Sequence, residues 1–143
     1  MNSYWKNYIQ SPMFNVDALQ AALQKEKAER NLSEFIKQAW RVIEPGTTYV
    51  ENWHIDLISE YLQAVENNEI LRLIINIPPR HMKSIQTTVC YPAWSWIKKP
   101  EKRFIKVSYS DNLSRKHNVL SRDIILSPWY QENWGDRFTL KDD

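Results

Sequence analysis

The heptapeptide Pro78-Pro79-Arg80-His81-Met82-Lys83-Ser84 carries the side chains of this chain that are best suited to chemistry. A lysine ammonium can bind the β and γ phosphates of a nucleotide, and a neighbouring serine hydroxyl can hold magnesium. Arg80 and His81 add donors for the γ phosphate, and arginine stabilises charge that develops during phosphoryl transfer. The heptapeptide therefore predicts a phosphate-binding loop in which Lys83 and Ser84 contact the anion and the metal ion.

The glycines of the usual loop pattern, G-x-x-x-x-G-K-[ST], are missing here, because their positions correspond to Ile77 and Met82. A glycine ahead of the lysine relieves a tight bend, and a side chain forced into the left-handed region costs about 1–2 kcal/mol. A Lys-Ser pair after a strand also occurs by chance. Taken alone, the heptapeptide fits either an ordinary strand-to-helix turn or a phosphate site.

The elements on either side of the heptapeptide must position it. Leu71–Ile77 is a short, β-branched apolar run, which predicts a strand buried on both faces, and Pro78-Pro79 ends it. Helical spacing of apolar residues from Lys83 to about Ile97 predicts a helix that Pro92 kinks or ends early.

A second pair of elements follows the first. Phe104–Tyr109 predicts another strand, and a capping residue at Ser110-Asp111 begins a helix that continues to Ile125. Strand, loop, helix, strand and helix in this order indicate βαβ connectivity. The sequence therefore predicts an α/β fold with a parallel sheet.

Helices are predicted throughout the first half of the chain. Val16–Arg30 indicates a charged, weakly amphipathic helix. Asn31-Leu32-Ser33-Glu34 has the side chains of a capping box, and a core-facing helix follows it until Pro45-Gly46. A third helix is predicted from about residue 51 to 66 on an apolar stripe comprising Trp53, Leu57, Tyr61, Leu62 and Val65.

Length and composition restrict the class of protein. A chain of 143 residues with 43% hydrophobic residues fits one globular domain. No apolar run is long enough to span a membrane, and the start of the chain lacks the features of a signal peptide. The single cysteine, Cys90, cannot form an intramolecular disulfide. We expect a cytoplasmic protein without a membrane anchor.

Charge is distributed unevenly along the chain. Residues 1–70 hold 6 basic and 10 acidic side chains, whereas residues 71–122 hold 11 basic and 2 acidic ones. Residues 123–143 hold 2 basic and 5 acidic side chains. The basic middle segment is either a solvated face or a surface that binds a polyanion.

Five sequence blocks in the same order resemble the ATPase half of phage and prophage terminase large subunits, the motors that package viral DNA. They lie between Glu51 and Asp136 and comprise Asn52-Trp53-His54-Ile55-Asp56-Leu57, Arg72 to Ile77 with the heptapeptide, Pro92-Ala93-Trp94, Ser108-Tyr109-Ser110, and Arg122 to Tyr130. The resemblance implies an N-terminal helical region, residues 1–47. It also implies an incomplete P-loop ATPase domain of RecA-like fold, residues 48–143.

The resemblance implies roles for individual residues. Lys83 and Ser84 would hold the phosphates of ATP and Mg²⁺, and Arg80 would couple hydrolysis to movement. The rest of the nucleotide loop would be Pro79, His81 and Met82. Adenine would be recognised by Tyr49, Trp53 and His54, although helical spacing alone favours a core position for Trp53. Ser108-Tyr109-Ser110 resembles a motif that faces DNA or an adjacent subunit.

Family partners and the basic block fit together. Double-stranded DNA, a portal protein and a small terminase subunit are the partners that the resemblance implies, in the cytoplasm of a bacterial host. A packaging motor must hold duplex phosphates without reading sequence. The candidate side chains for this are Lys98, Lys99, Lys102, Arg103, Arg115 and Lys116, together with Lys106 and Arg122.

An ATPase of this kind also needs an apolar strand that ends in Asp-Glu, followed in the family by a nuclease domain. The sequence has neither element, since Asp142-Asp143 follows no convincing buried strand. We therefore expect a fragment that binds ATP weakly or not at all and does not hydrolyse it alone. The alternatives are an inert nucleic-acid-binding or scaffold protein that kept the fold, and a remnant of a superfamily 2 helicase.

Overall fold

Asparagine caps begin the first two helices. Helix α1 spans Val16–Arg30 and helix α2 spans Leu32–Ile43 in the computed structural model, which describes residues 15–138. The Asn31 side chain accepts hydrogen bonds from the amides of Ser33 and Glu34 at 2.8 and 3.4 Å. The amide of Asn31 donates to the Lys27 carbonyl, so only half of the predicted capping box forms.

Helix α3 spans Trp53–Glu66 and confirms the third predicted helix. It ends where Asn68 takes the left-handed conformation, with φ of 61°, which asparagine tolerates better than most residues. Three residues of the apolar stripe, Trp53, Leu57 and Tyr61, are exposed, so the stripe as a whole does not form the buried face of the helix. The buried face is formed by Ile55, Ile58, Ser59, Leu62 and Glu66.

The predicted helix from Lys83 does not end early at Pro92 but contains a wider, π-helical turn before it. Lys83 and Ser84 are helical, Ile85–Cys90 form a π-helical segment, and helix α4 spans Tyr91–Lys98. Pro92 has no amide to donate, and in an α-helix its ring collides with the carbonyl four residues earlier. The π turn ahead of it lets the amide of Tyr91 donate to Gln86, five residues back.

The last two helices complete the core. Helix α5 spans Asp111–Leu126, as the sequence predicts, and helix α6 spans Pro128–Trp134, which the sequence analysis did not predict as a separate helix. The Ser127 hydroxyl accepts from the amide of Tyr130 at 3.2 Å and so caps α6. Rings from α2 and α6 then pack edge to face or tilted, with centroids 5.2–6.4 Å apart. These rings belong to Phe35, Trp129, Tyr130 and Trp134.

One core joins helices from both predicted regions. Helix α2, from residues 1–47, packs against α3 and α5, from residues 48–143. Trp94 is buried, as the sequence predicts, and its ring N–H donates to the Ala28 carbonyl at 3.0 Å. Helix α1 therefore packs on the rest of the chain. Residues 1–14 and 139–143 of the two predicted regions lie outside the described residues.

The expected α/β fold with a parallel sheet is wrong. Within residues 15–138 the structure contains helices and non-helical connections and no strand. Residues 71–77 and 104–109 keep the alternating burial of strands, but their main chains form no hydrogen bond with each other. A cavity of about 420 Å³ lies between them, whereas paired strands run about 4.8 Å apart.

The prediction that residues 71–77 are buried on both faces is also wrong. Leu73, Ile75 and Ile77 face the helices, whereas Leu71 and Ile74 are exposed.

In the described part of the chain, no helix has both the length and the apolar character needed to cross a membrane.

Candidate functional site

The heptapeptide forms a tight turn with two left-handed residues. Arg80 has φ of 67° and Met82 has φ of 57°, a conformation that glycine adopts easily and other residues rarely adopt. Met82 stands where the loop pattern has its second glycine, and it takes the backbone shape that a glycine there would supply. Left-handed residues in a turn are typical of main-chain concavities that bind anions.

A helix begins directly behind this turn. The Gln86 amide donates to the Met82 carbonyl at 2.9 Å, and the Thr87 hydroxyl donates to the Lys83 carbonyl at 2.9 Å. The amides of residues 83–85 donate to no acceptor among residues 15–138. Free amides at a helix start, together with the positive end of the helix dipole, favour an anion.

The turn surrounds a cavity of about 580 Å³, here called the turn cavity. It is lined by residues 77–85 and by Tyr109. The structure therefore brings together Arg80, His81, Met82, Lys83 and Ser84, as the sequence analysis predicts, and adds the exposed Tyr109 ring. Lys83 forms no ion pair with any described residue. Its ammonium is thus free to pair with a phosphate.

A larger groove of about 700 Å³ adjoins the turn cavity and lies between α3 and residues 73–78. Its lining includes Trp53, His54, Leu57, Tyr61 and His81. The two spaces share Ile77, Pro78 and His81. A volume of this size is typical of small-molecule sites. We call this space the α3 groove.

Trp53 and His54 occupy the end of the α3 groove nearest the turn. Trp53 is 74% exposed, so the expectation from helical spacing that it lies in the core is wrong. His54 is 8% exposed, and its Nε2 has no hydrogen-bond partner among residues 15–138. The His54 ring lies 5.6 Å from the His81 ring. The flat, exposed Trp53 ring is suited to stacking on a heterocyclic base.

Tyr49 is placed elsewhere. Its ring packs against Trp40 at 5.9 Å and lines a small, separate space of about 140 Å³ with Glu34, Glu51 and Asp56. Burial, together with the nearby carboxylates, raises the pKa of Tyr49 to about 12. The structure therefore brings Trp53 and His54 to the turn but not Tyr49.

The predicted nucleic-acid contacts divide into two groups. Lys99 and Lys102 both bind Glu66, whose side chain is almost fully buried, with Lys102 Nζ 2.6 Å from Glu66 Oε2. Lys98 lies 4.8 Å above the Trp94 ring. Arg115 forms a loose pair with Asp111 at 3.6 Å, whereas Arg103 and Lys116 form no ion pair with the described residues. Lys99 and Lys102 therefore share one buried carboxylate, which cancels one of their two positive charges.

Glu66 was missed by the sequence analysis. Its burial by itself raises the pKa, but hydrogen bonds from Lys102, Ser95, Lys99 and Tyr91 lower the pKa to about 2. The signal was present, because Ile55, Ile58 and Leu62 place Glu66 on the buried face of α3 at helical spacing. A carboxylate on such a face needs a cationic partner.

A cationic cluster around His117 was also missed. His117 is buried on α5, and burial together with the charges of Lys106 and Lys116 lowers its pKa. Burial also lowers the pKa of Lys106. The nearest acids of α5, Asp111 and Asp123, stand six residues away on either side, on other faces of the helix. This crowded positive charge would be relieved by an anion.

Metal binding depends on few protein ligands here. Residues 15–138 contain no group of three or more His, Cys, Asp and Glu side chains that would hold a metal ion. The Ser84 hydroxyl at the turn is the kind of single ligand that Mg²⁺ uses beside nucleotide phosphates. The residues at the turn therefore fit a magnesium-bound phosphate rather than a protein cage.

Comparison of the chain with protein-family models, with curated proteins and with solved structures finds no match.

Proposed function

We propose that the chain binds a magnesium-bound nucleoside triphosphate, ATP, across the turn cavity and the α3 groove. The amides of residues 83–85 and the Lys83 ammonium bind the phosphates, and the Ser84 hydroxyl contacts Mg²⁺. Arg80 supplies further donors to the terminal phosphate, whereas the Nδ1–H of His81 donates to the Pro79 carbonyl at 2.9 Å and holds the turn. The adjacency of the two spaces at Ile77, Pro78 and His81 carries this proposal, because it places a turn suited to phosphate beside a groove suited to a base.

The base end of the site rests on two side chains. Trp53 offers an exposed indole face for stacking, and the His54 ring beside it adds to the wall of the groove. The Nε2 atom of His54 is buried, so stacking on Trp53 holds the base. Both residues line the same groove as His81.

The wider role proposed for the chain is that of the ATP-binding part of a DNA-packaging motor in a bacterial cytoplasm. The five blocks that resemble terminase large subunits support this role. Its partners would be double-stranded DNA, a portal protein and a small terminase subunit. Binding without turnover is expected, because the turn cavity has no carboxylate in its described lining to activate water.

Isothermal titration calorimetry with Mg-ATP tests the nucleotide site. We expect weak binding, and a loss of affinity of about tenfold or more in Lys83→Ala, since a charge-assisted hydrogen bond contributes about 1.5–3 kcal/mol. Lys27→Ala, which removes the same charge from the exposed end of α1, serves as the control. Equal binding by both variants would reject the site.

Nucleic-acid binding without a nucleotide is the second candidate. Lys106 and Lys116 favour it, because both lie near His117 and neither forms an ion pair with a described residue. DNA affinity that falls steeply with added salt and is unchanged in Lys83→Ala would support this function over the first.

A further inference from the structure

Residues 103–109 present an unpaired edge of main chain. Their amides and carbonyls form no main-chain hydrogen bond within the described part of the chain. Side chains alternate along the segment, and the three outward ones that follow Arg103 are apolar and almost fully exposed. Ile105 is 93% exposed, Val107 is 90% and Tyr109 is 94%. Such an edge is a template for pairing with another extended segment.

The inward side chains fix this edge in place. The Phe104 ring lies 5.7 Å from the Tyr91 ring and 5.5 Å from the Trp96 ring, both edge to face. The Trp96 ring N–H donates to the carbonyl of Lys102 at 2.7 Å, just before the segment. The inward side of the segment is therefore anchored on α4 at Phe104, while the outward side chains stay exposed.

We propose that the edge formed by residues 103–109 pairs antiparallel with the same edge of a second copy of this chain, with Val107 opposite its own counterpart. In this arrangement the ladder is formed between two molecules, around a twofold axis. Such an interface is self-complementary, as twofold dimers require. The proposal does not rest on nucleotide binding, although Tyr109 belongs both to this edge and to the lining of the turn cavity.

The side chains select a second copy as the partner, and they also select the register. With Val107 on the axis, Ile105 faces Tyr109 across the interface, which is a favourable β-branched and aromatic pair. Beyond the ladder, Arg103 of one copy lies beside the start of α5 of the other, where Asp111 is exposed and pairs only loosely with Arg115 at 3.6 Å. The edge is therefore complementary to itself in both shape and charge.

Neighbouring registers lack this complementarity. An axis at Lys106 places two lysines opposite each other, and like charges directly opposite are destabilising. An axis at Ile105 places Arg103 against Val107 and moves it away from Asp111. Only the Val107 register pairs Arg103 with an acid and Lys106 with Ser108.

A cysteine at the axis provides the direct test. Opposed residues of an antiparallel pair have Cα atoms about 4.5–5.5 Å apart, within the range of a disulfide. Val107→Cys is expected to form a crosslinked dimer under mild oxidation. The single native cysteine, Cys90, is buried and does not interfere. Val50→Cys, at a site of 73% exposure outside the segment, is the control.

Sedimentation equilibrium of the unmodified chain provides the second measurement. We expect a monomer–dimer equilibrium, weakened about tenfold by Arg103→Asp and again tight in the double variant Arg103→Asp, Asp111→Arg. A chain that stays monomeric, with Val107→Cys crosslinking no faster than Val50→Cys, would overturn the proposal. Dimers that ignore the charge exchange would overturn this register.

Discussion

The ammonium of Lys102 lies 2.6 Å from the Glu66 carboxylate, which is buried at the end of α3. Tyr91 and Ser95 of α4 donate to the same Oε2 atom at 2.9 and 2.8 Å, and Lys99 Nζ lies 3.1 Å from Oε1. This network joins α3 to α4 and to the turn before residues 103–109. It positions the elements on both sides of the 420 Å³ cavity.

Loss of the Glu66 charge is therefore expected to destabilise the fold. Glu66→Gln leaves Lys99 and Lys102 without a carboxylate and should lower the free energy of unfolding by about 3 kcal/mol. Chemical denaturation measures this. Glu60→Gln, on the exposed side of the same helix, should change stability by less than about 0.5 kcal/mol.

The same carboxylate predicts how stability depends on pH. Its pKa is lowered from 4.5 to about 2 in the folded chain, so its contribution is complete above pH 4.5. That contribution is lost as the pH falls through about 2. Denaturation at several pH values should show this loss in the native chain and a smaller one in Glu66→Gln. Equal slopes would contradict the assignment.

Met82 offers a test of the turn geometry. Glycine removes the cost of φ at 57°, whereas alanine keeps it, and both remove the same side-chain packing. Met82→Gly is therefore expected to be more stable than Met82→Ala by about 1 kcal/mol, and to bind Mg-ATP at least as well. The order of the two thermal midpoints decides this, and a reversed order would show that the backbone there is relaxed.

Gln86 is fully buried, and both polar atoms of its side chain lack partners among residues 15–138. Replacing it with methionine removes two unsatisfied groups at similar volume. Gln86→Met should raise the free energy of unfolding by about 1 kcal/mol. Gln131→Met is the matched control, because Gln131 Nε2 donates to the Ile125 carbonyl at 2.6 Å and its loss should destabilise.

The two groups of basic residues should behave differently toward DNA. Lys116→Ala is expected to lower the salt slope of DNA binding by about 0.9 for one lost phosphate contact. Lys99→Ala should leave that slope unchanged and instead reduce stability, since Lys99 pairs with Glu66. Fluorescence anisotropy over a salt series measures both. A larger slope change for Lys99→Ala would reverse the assignment.

Local signals predicted the helices well. The asparagine cap at Asn31 and the apolar spacing of α2 and α5 act between residues a few positions apart, so the sequence contains them. The prediction for α3 was less complete, because its helix has two apolar stripes. One stripe, with Ile55 and Leu62, fills the core, and the other, with Trp53 and Tyr61, lines the α3 groove. Spacing alone does not tell which stripe is buried.

Long-range features could not be predicted in the same way. Alternation in residues 104–109 was recognised, but a sheet requires a partner segment at bonding distance, and none lies there in the described chain. At the site, the turn was predicted because its residues are consecutive. Tyr49 was assigned to adenine recognition because of the family resemblance, yet the chain between Tyr49 and Trp53 directs its ring toward Trp40.

The π-helical turn between Ser84 and Tyr91 determines the direction of the Lys83 side chain relative to helix α4. A stretch wound this way accommodates an additional residue relative to ordinary α-helical winding. Deleting one residue from Ile85–Cys90 should therefore restore α-helical winding while the residues on both sides keep their positions. Rewinding without deletion would swing Lys83 by about 100° around the helix axis. The direction in which the Lys83 ammonium points therefore depends on the π-helical winding of this segment.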